Sequence, residues 1–253
     1  MKTAVLFLAL ALALPVAAEE PSAEAIVRKA TDSGQPASSK QKTTMTLVDG
    51  KAERVRSLQI SRAKSAKGEW STRIEFLEPK DVAGTVLLSV EKDGGVSQHL
   101  YLPGVKRVRK LVGKQRGGAF MGSDFAYEDL APRDLGKSTY KRLADETVAG
   151  KTCWTVEATP TKDAESAYTK TILSITKDDF TTVRVRFFDA KAETKVLDVD
   201  PTKIHVEGDV RIPKHMLMTS KKDGHKTVIE VGAIDLKATL DPATFDPASL
   251  DRG

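Results

Sequence analysis

From Thr43 to Leu236 the chain is written mostly in period two, with short turn motifs breaking the alternation at close intervals. Alternation of this kind puts every second side chain on one face of an extended strand, and a helix cannot bury such a pattern on one side. Thr43, Met45 and Leu47 alternate with Thr44, Thr46 and Val48, and the run stops at the hairpin signal Asp49-Gly50. Leu58 and Ile60 continue the pattern, with Arg54, Arg56 and Arg62 in the same register. Trp70, Thr72, Ile74 and Phe76 fall on one face of the next run, Ser71, Arg73, Glu75 and Leu77 on the other, and Pro79 ends it. Further runs cover 85–91, 98–102, 105–112, 152–159, 169–176, 182–189, 194–200, 216–220 and 227–236. Asp93-Gly94-Gly95, Pro103-Gly104, Ala149-Gly150 and Asp223-Gly224 separate several of them.

This spacing predicts an antiparallel meander of about ten to twelve strands. An open twisted sheet of that size curls, splits or packs against something. Few helices are available to cover it. Residues 22–32 read as a helix, capped by Ser22, with Glu24 in the first turn and Ile26, Val27 and Ala30 as its apolar stripe. Residues 129–134 and 242–251 read as short helical or loop elements. The expected fold is α+β but mainly β: a large curved antiparallel half-barrel with a few helices over its concave face. The N-terminal helix and the glycine-rich middle segment would serve as the lid, leaving an apolar cavity beneath.

The N-terminus reads as an export signal over residues 1–18. Lys2 precedes the apolar run Ala4 to Leu14, then Pro15, then the small residues Ala17 and Ala18 at a cleavage site. The run is shorter than the roughly 20 residues a membrane span needs. A periplasmic product is expected, with residues 19–253 as a single domain, because no linker or repeat interrupts them. The formal charge of +5 over 253 residues is modest and spread out, so nucleic-acid binding is not implied. The single cysteine, Cys153, excludes an internal disulfide and sits in a strand-like run as a buried thiol.

Enzyme signatures are absent: there is no G-x-S-x-G elbow, no H-E-x-x-H and no phosphate loop. His99, His205, His215 and His225 are scattered, so no metal or other cofactor is expected. Asp124, Glu128, Asp129 and Asp134 cluster in the middle segment. They read as loop caps and as ion-pair partners of the basic strand just before them, in preference to acid–base pairs or calcium ligands.

The segment Gly118 to Leu130, with Phe120-Met121-Gly122-Ser123-Asp124-Phe125-Ala126-Tyr127-Glu128-Asp129-Leu130 at its heart, resembles the outer-membrane lipoprotein-sorting proteins, the LolA/LolB-like superfamily. Supporting pieces occur in order: 78–85 before a strand, Leu100-Tyr101-Leu102-Pro103 with Lys106-Arg107-Val108-Arg109 after it, 148–153, 168–170 and the tail 245–250. The resemblance implies a curved sheet with an apolar cavity for acyl chains. It also implies a periplasmic carrier of a lipid, lipoprotein acyl chain or similar amphiphile. The alternative it leaves open is an accessory or sensor protein docking on a resistance-nodulation-division (RND) type transporter or a signalling partner.

Two residue sets are candidates for contact. Trp70, Phe76, Tyr101, Phe120, Met121, Phe125 and Tyr127 are read as lining the cavity or its lid. Phe120, Met121 and Phe125 sit in a loop flanked by glycines, an unusual place for core anchors, and methionine adapts to ligands of varied shape. Lys106, Arg107, Arg109, Lys110, Lys114 and Arg116 are the densest basic run. A central strand rarely buries so much charge, so the run is expected at a rim or an edge. There it would contact anionic headgroups at a membrane surface or an acidic face of a partner, such as an inner-membrane transporter or an outer-membrane acceptor. The oligomeric state stays open.

Overall fold

The structure is a computed structural model that describes residues 20–32 and 35–250. The expected leader at residues 1–18 lies outside the described residues. One α-helix, α1 (Ala23–Asp32), begins as anticipated: the Ser22 hydroxyl accepts a hydrogen bond from the Ala25 amide at 3.2 Å, and Arg28 pairs with Glu24 one turn back. Ile26 and Val27 are fully buried on its inner face.

Sixteen strands follow among the described residues. They are β1 (Ser38–Asp49), β2 (Ala52–Lys64), β3 (Trp70–Glu78), β4 (Val86–Lys92), β5 (Gly95–Leu102), β6 (Arg107–Leu111), β7 (Ser138–Arg142), β8 (Glu146–Val148) and β9 (Lys151–Pro160). The rest are β10 (Lys170–Thr176), β11 (Thr182–Phe188), β12 (Glu193–Val199), β13 (Ile204–Glu207), β14 (Val210–Pro213), β15 (His215–Ser220) and β16 (Lys226–Asp235). Fourteen of them form one antiparallel sheet in the order β6-β5-β4-β3-β2-β1-β16-β15-β12-β11-β10-β9-β7, with β8 also on β9. Strands β13 and β14 make a separate hairpin. The sheet is therefore larger than the ten to twelve strands expected. Strands β7 and β8 are short and carry few apolar residues, while β13 and β14 alternate (Ile204, Val206; Val210, Ile212) but span only four residues each, too few for alternation to mark them. Among the described residues, α1 and a set of short 3-10 turns stand where a few helices were expected.

Register explains the burial. Ile60, Ile74, Leu87 and Leu100 stand in one row across β2 to β5. Met218, Leu197, Val185, Leu173 and Val156 stand in another across β15 to β9. Both rows belong to one continuous core, so they occupy the same face. That face is concave. Val96 of β5 and Ala158 of β9 line one cavity although ten strand positions separate them, which in a flat sheet would be about 48 Å. Only a curled sheet brings them together. On the convex side Val86, Leu88, Tyr101 and Val108 form a smaller apolar patch, covered by Phe245 and Leu250 of the tail.

Candidate functional site

The two edge strands of the main sheet, β6 and β7, are consecutive in the chain. Residues 112–137 must therefore pass from one edge to the other, and they do so across the concave face as a strap of four 3-10 turns. Beneath the strap, against the half of the sheet from β15 to β9, is a cavity of about 400 Å³, within the usual range for small-molecule sites. Its sheet wall is mostly apolar, with Ala158, Val185, Phe187, Leu197 and Met218. The strap contributes Phe125 and a run of polar and charged residues from Arg116 to Lys137.

The strap is held by buried polar contacts. Arg56, on the concave face of β2, donates to the Met121 carbonyl at 2.6 Å and lies over the Phe76 ring at 5.6 Å. Burial lowers the pKa of its guanidinium. Met121 itself takes a left-handed conformation (φ 51°), a costly one for a side chain of its size. Gln98, wholly buried on β5, donates to the Tyr127 carbonyl at 2.7 Å. The Asp124 amide donates to Thr227 Oγ1 at 3.0 Å, the Thr227 hydroxyl donates back to its carboxylate at 2.7 Å, and His225 Nδ1 lies 2.8 Å from the same carboxylate. Lys195 of β12 donates to the Asp124 carbonyl at 2.8 Å and to Asp129 Oδ2 at 2.6 Å. Asp129 also accepts from the Ala126 amide and the Tyr168 hydroxyl. Burial, reinforced by that carboxylate, raises the Tyr168 pKa far above the usual phenol value. Glu128 accepts from the Ser166 hydroxyl and the Ala167 amide. Gly117 permits the last contact, since a Cβ there would come within 2.4 Å of the Ala167 methyl.

The acidic cluster thus caps and pairs, but its distant side-chain partners include Lys195 of β12 and His225 of the turn before β16. The basic strand that precedes it in sequence, expected to supply them, forms no ion pair among the described residues. Lys195 and His225 went unmarked because their partners lie 66 and 101 residues away.

The aromatic candidates separate. Phe125 lines the cavity. Phe120 is fully buried, packed on Phe76 with ring centroids 5.4 Å apart and edge-on to Tyr127 at 5.7 Å, so it anchors the strap to the core. Phe76 is equally buried. Met121 and Tyr127 are partly buried against the same core. Trp70 stands at the end of β3 with the Arg62 guanidinium 4.8 Å and the Lys64 amine 5.2 Å from its ring. Tyr101 is on the convex face under the tail, so it shares no surface with Phe125. Alternation placed it one residue out of phase with Leu100, which is the residue of that pair facing the core.

The basic set is divided by the same geometry. Lys106, Arg107, Arg109, Lys110 and Lys114 are exposed along the edge strand β6 and its flanks, with Arg107 and Arg109 on the concave side. Arg116 turns inward instead. It lines the cavity, and its Nε donates to Gln98 Oε1 at 3.3 Å.

An open, curled antiparallel sheet with a strap across its concave face and a cavity beneath is the LolA-like fold. A protein domain from Vibrio parahaemolyticus described as an outer membrane lipoprotein-sorting one superposes with a TM-score of 0.83 at 26% identity, covering 91% of this chain and 98% of that one. A DUF1329 family protein from Desulfovibrio piger gives 0.81 at 24% identity, covering 89% and 95%. A LolA superfamily protein from Nitrosomonas europaea gives 0.71 at 17% identity, covering 90% and 100%. No protein of curated function matches the chain. A family model described as an uncharacterized protein matches residues 68–252, and the chain belongs to that family.

Proposed function

We propose that the protein is a periplasmic carrier that binds a lipid, a lipoprotein acyl chain or a similar amphiphile in the cavity under the strap. The observation that carries this reading is the two-sided cavity: an apolar sheet wall opposite a charged strap, which suits a molecule with a chain and a headgroup. Each buried methylene of such a chain contributes about 0.8 kcal/mol, so a few suffice for reversible carriage and no catalytic group is needed. The similarity to the lipoprotein-sorting domain supports the same reading. In it, residues 1–18 direct export, residues 19–253 form the single carrier domain, and the exposed cations of β6 approach anionic headgroups during loading or delivery.

Mass spectrometry of lipid extracted from protein purified from its native cell envelope tests the proposal. One dominant amphiphile at near-stoichiometric yield is expected. Protein free of lipid, and unable to bind a fluorescent fatty-acid probe, would remove the carrier reading.

A second reading has its own observation. The backbone edge of β6 is unpaired among the described residues, and Val105 and Val112 beside it are more than half exposed. This favours docking on a partner protein, such as an RND-type transporter, an outer-membrane acceptor or a signalling protein. Recovery of a stable membrane-protein complex with an empty cavity would select it.

A further inference from the structure

We propose that Arg133, with Arg116 on the same cavity, anchors the anionic group, phosphate or carboxylate, of a single-chain amphiphile whose chain lies on the apolar wall. This rests on the carrier reading and names the class of headgroup that the cavity takes.

Total charge does not carry the argument, since acids outnumber bases around the cavity. Pairing does. Asp129 is occupied by Lys195, Tyr168 and the Ala126 amide, and Glu128 by Ser166 and the Ala167 amide. Asp163 is paired with Lys137, and Asp134 caps the Gly136 amide. Arg133, by contrast, makes no hydrogen bond and no ion pair among the described residues. Arg116 uses only its Nε, leaving its two terminal nitrogens free. Of the acids on the wall, only Glu165 is without a partner among the described residues, and it is exposed at a left-handed loop position.

Arg133 has ample accessible surface, yet loss of bulk water lowers its pKa. The two facts agree if the space it reaches is the cavity, ringed by protein. Asp129 and Tyr140 are the groups close enough to favour its charge. Asp129 is already filled, and the Tyr140 hydroxyl donates to the Leu135 carbonyl. A guanidinium stays charged under such conditions, and its planar fork of donors matches a carboxylate or phosphate two bonds at a time. Its charge has no counter-ion among the described residues, and an anion delivered by the ligand supplies one. The apolar wall beside it, including Val185, Phe187 and Leu197, accounts for the chain.

The test is calorimetric titration of the purified, delipidated protein with lysophosphatidic acid, with the monoacylglycerol of the same chain, and with inorganic phosphate. Wild type should prefer lysophosphatidic acid over the monoacylglycerol by about tenfold or more, the scale of one charge-assisted contact. Arg133→Gln should remove most of that preference and leave monoacylglycerol binding unchanged, Arg133→Lys should keep part of it, and R116Q added to R133Q should abolish it. Arg133 has no internal hydrogen bond to lose, so the variant should melt with wild type. Equal binding of both lipids by wild type, or a parallel fall of both in Arg133→Gln, overturns the anchor and leaves the carrier standing. Inorganic phosphate bound as tightly as the lipid, in an Arg133-dependent way, overturns the headgroup assignment. Binding of neither lipid removes the carrier reading itself.

Discussion

Replacing Lys195 with Met should loosen the strap. The amine is 12% exposed and its partner Asp129 4%, so the pair is desolvated. The amine also donates to the Asp124 carbonyl and lies 5.1 Å from the Phe187 ring and 5.3 Å from the Tyr168 ring. Removing one member of a buried pair costs about 3–5 kcal/mol, because the other charge is stranded. Asp129 keeps the Ala126 amide and the Tyr168 hydroxyl, so the lower end applies, about 3 kcal/mol. For a chain of this length that is a fall in Tm of about 6–12 °C. Thermal melts give the total, and hydrogen exchange at the Asp124, Ala126 and Asp129 amides shows whether the strap opens first. Adding Asp129→Asn should recover at least half of the loss, because the stranded charge is then gone. A single variant within about 0.5 kcal/mol of wild type, the ordinary scatter of surface changes, would refute the reasoning. So would a double variant no more stable than the single.

Gly117→Ala should cost about 1–3 kcal/mol in denaturant unfolding, because its methyl would overlap that of Ala167 across the strap contact. Phe120→Ala should cost about 3–5 kcal/mol in the same assay, the range for a fully buried aromatic; near-neutral behaviour would place it at the cavity mouth after all. Burial and the nearby Lys110 hold the His99 imidazole below its ordinary pKa, and its Nδ1 is buried without a partner. The folded state therefore binds the proton less tightly than the unfolded state. The stability this contributes is complete above about pH 6.5 and declines as pH falls below it, so His99→Gln should flatten that part of a Tm–pH profile between pH 7.5 and 5. Changing Arg107, Arg109 and Lys114 to Gln should reduce flotation with anionic vesicles at low salt and leave probe binding in the cavity intact. No difference between anionic and neutral vesicles would leave these cations as a soluble edge that resists aggregation.

Local pattern carried most of the architecture. Alternation at 43–48 and 70–77 marked β1 and β3, Asp49-Gly50 marked the hairpin joining β1 to β2, and Ser22 marked the start of α1. These signals are legible because neighbours a few residues apart settle them: strand pleat, turn geometry and helix caps are all short-range. The same alternation was silent on β7, whose residues Ser138 to Arg142 are mostly polar and owe their extended shape to pairing with β9.

Sequence by itself also determined that the middle segment is glycine-rich, acidic and set between a basic run and the second half of the strands. Only the tertiary structure decided that it is a strap, because that follows from β6 and β7 being opposite edges of one sheet. Which phase of each strand faces inward was decided there too, so Leu100 faces the core and Tyr101 the tail. The side-chain partners of Asp124 and Asp129 arrive from 39 to 103 residues away. Arg133 stands out as unpaired among the described residues only once the acids around it, Glu165 apart, have been matched with their donors. Pairing of buried charge is a property of three-dimensional neighbourhoods, and spacing along the chain carries no record of it.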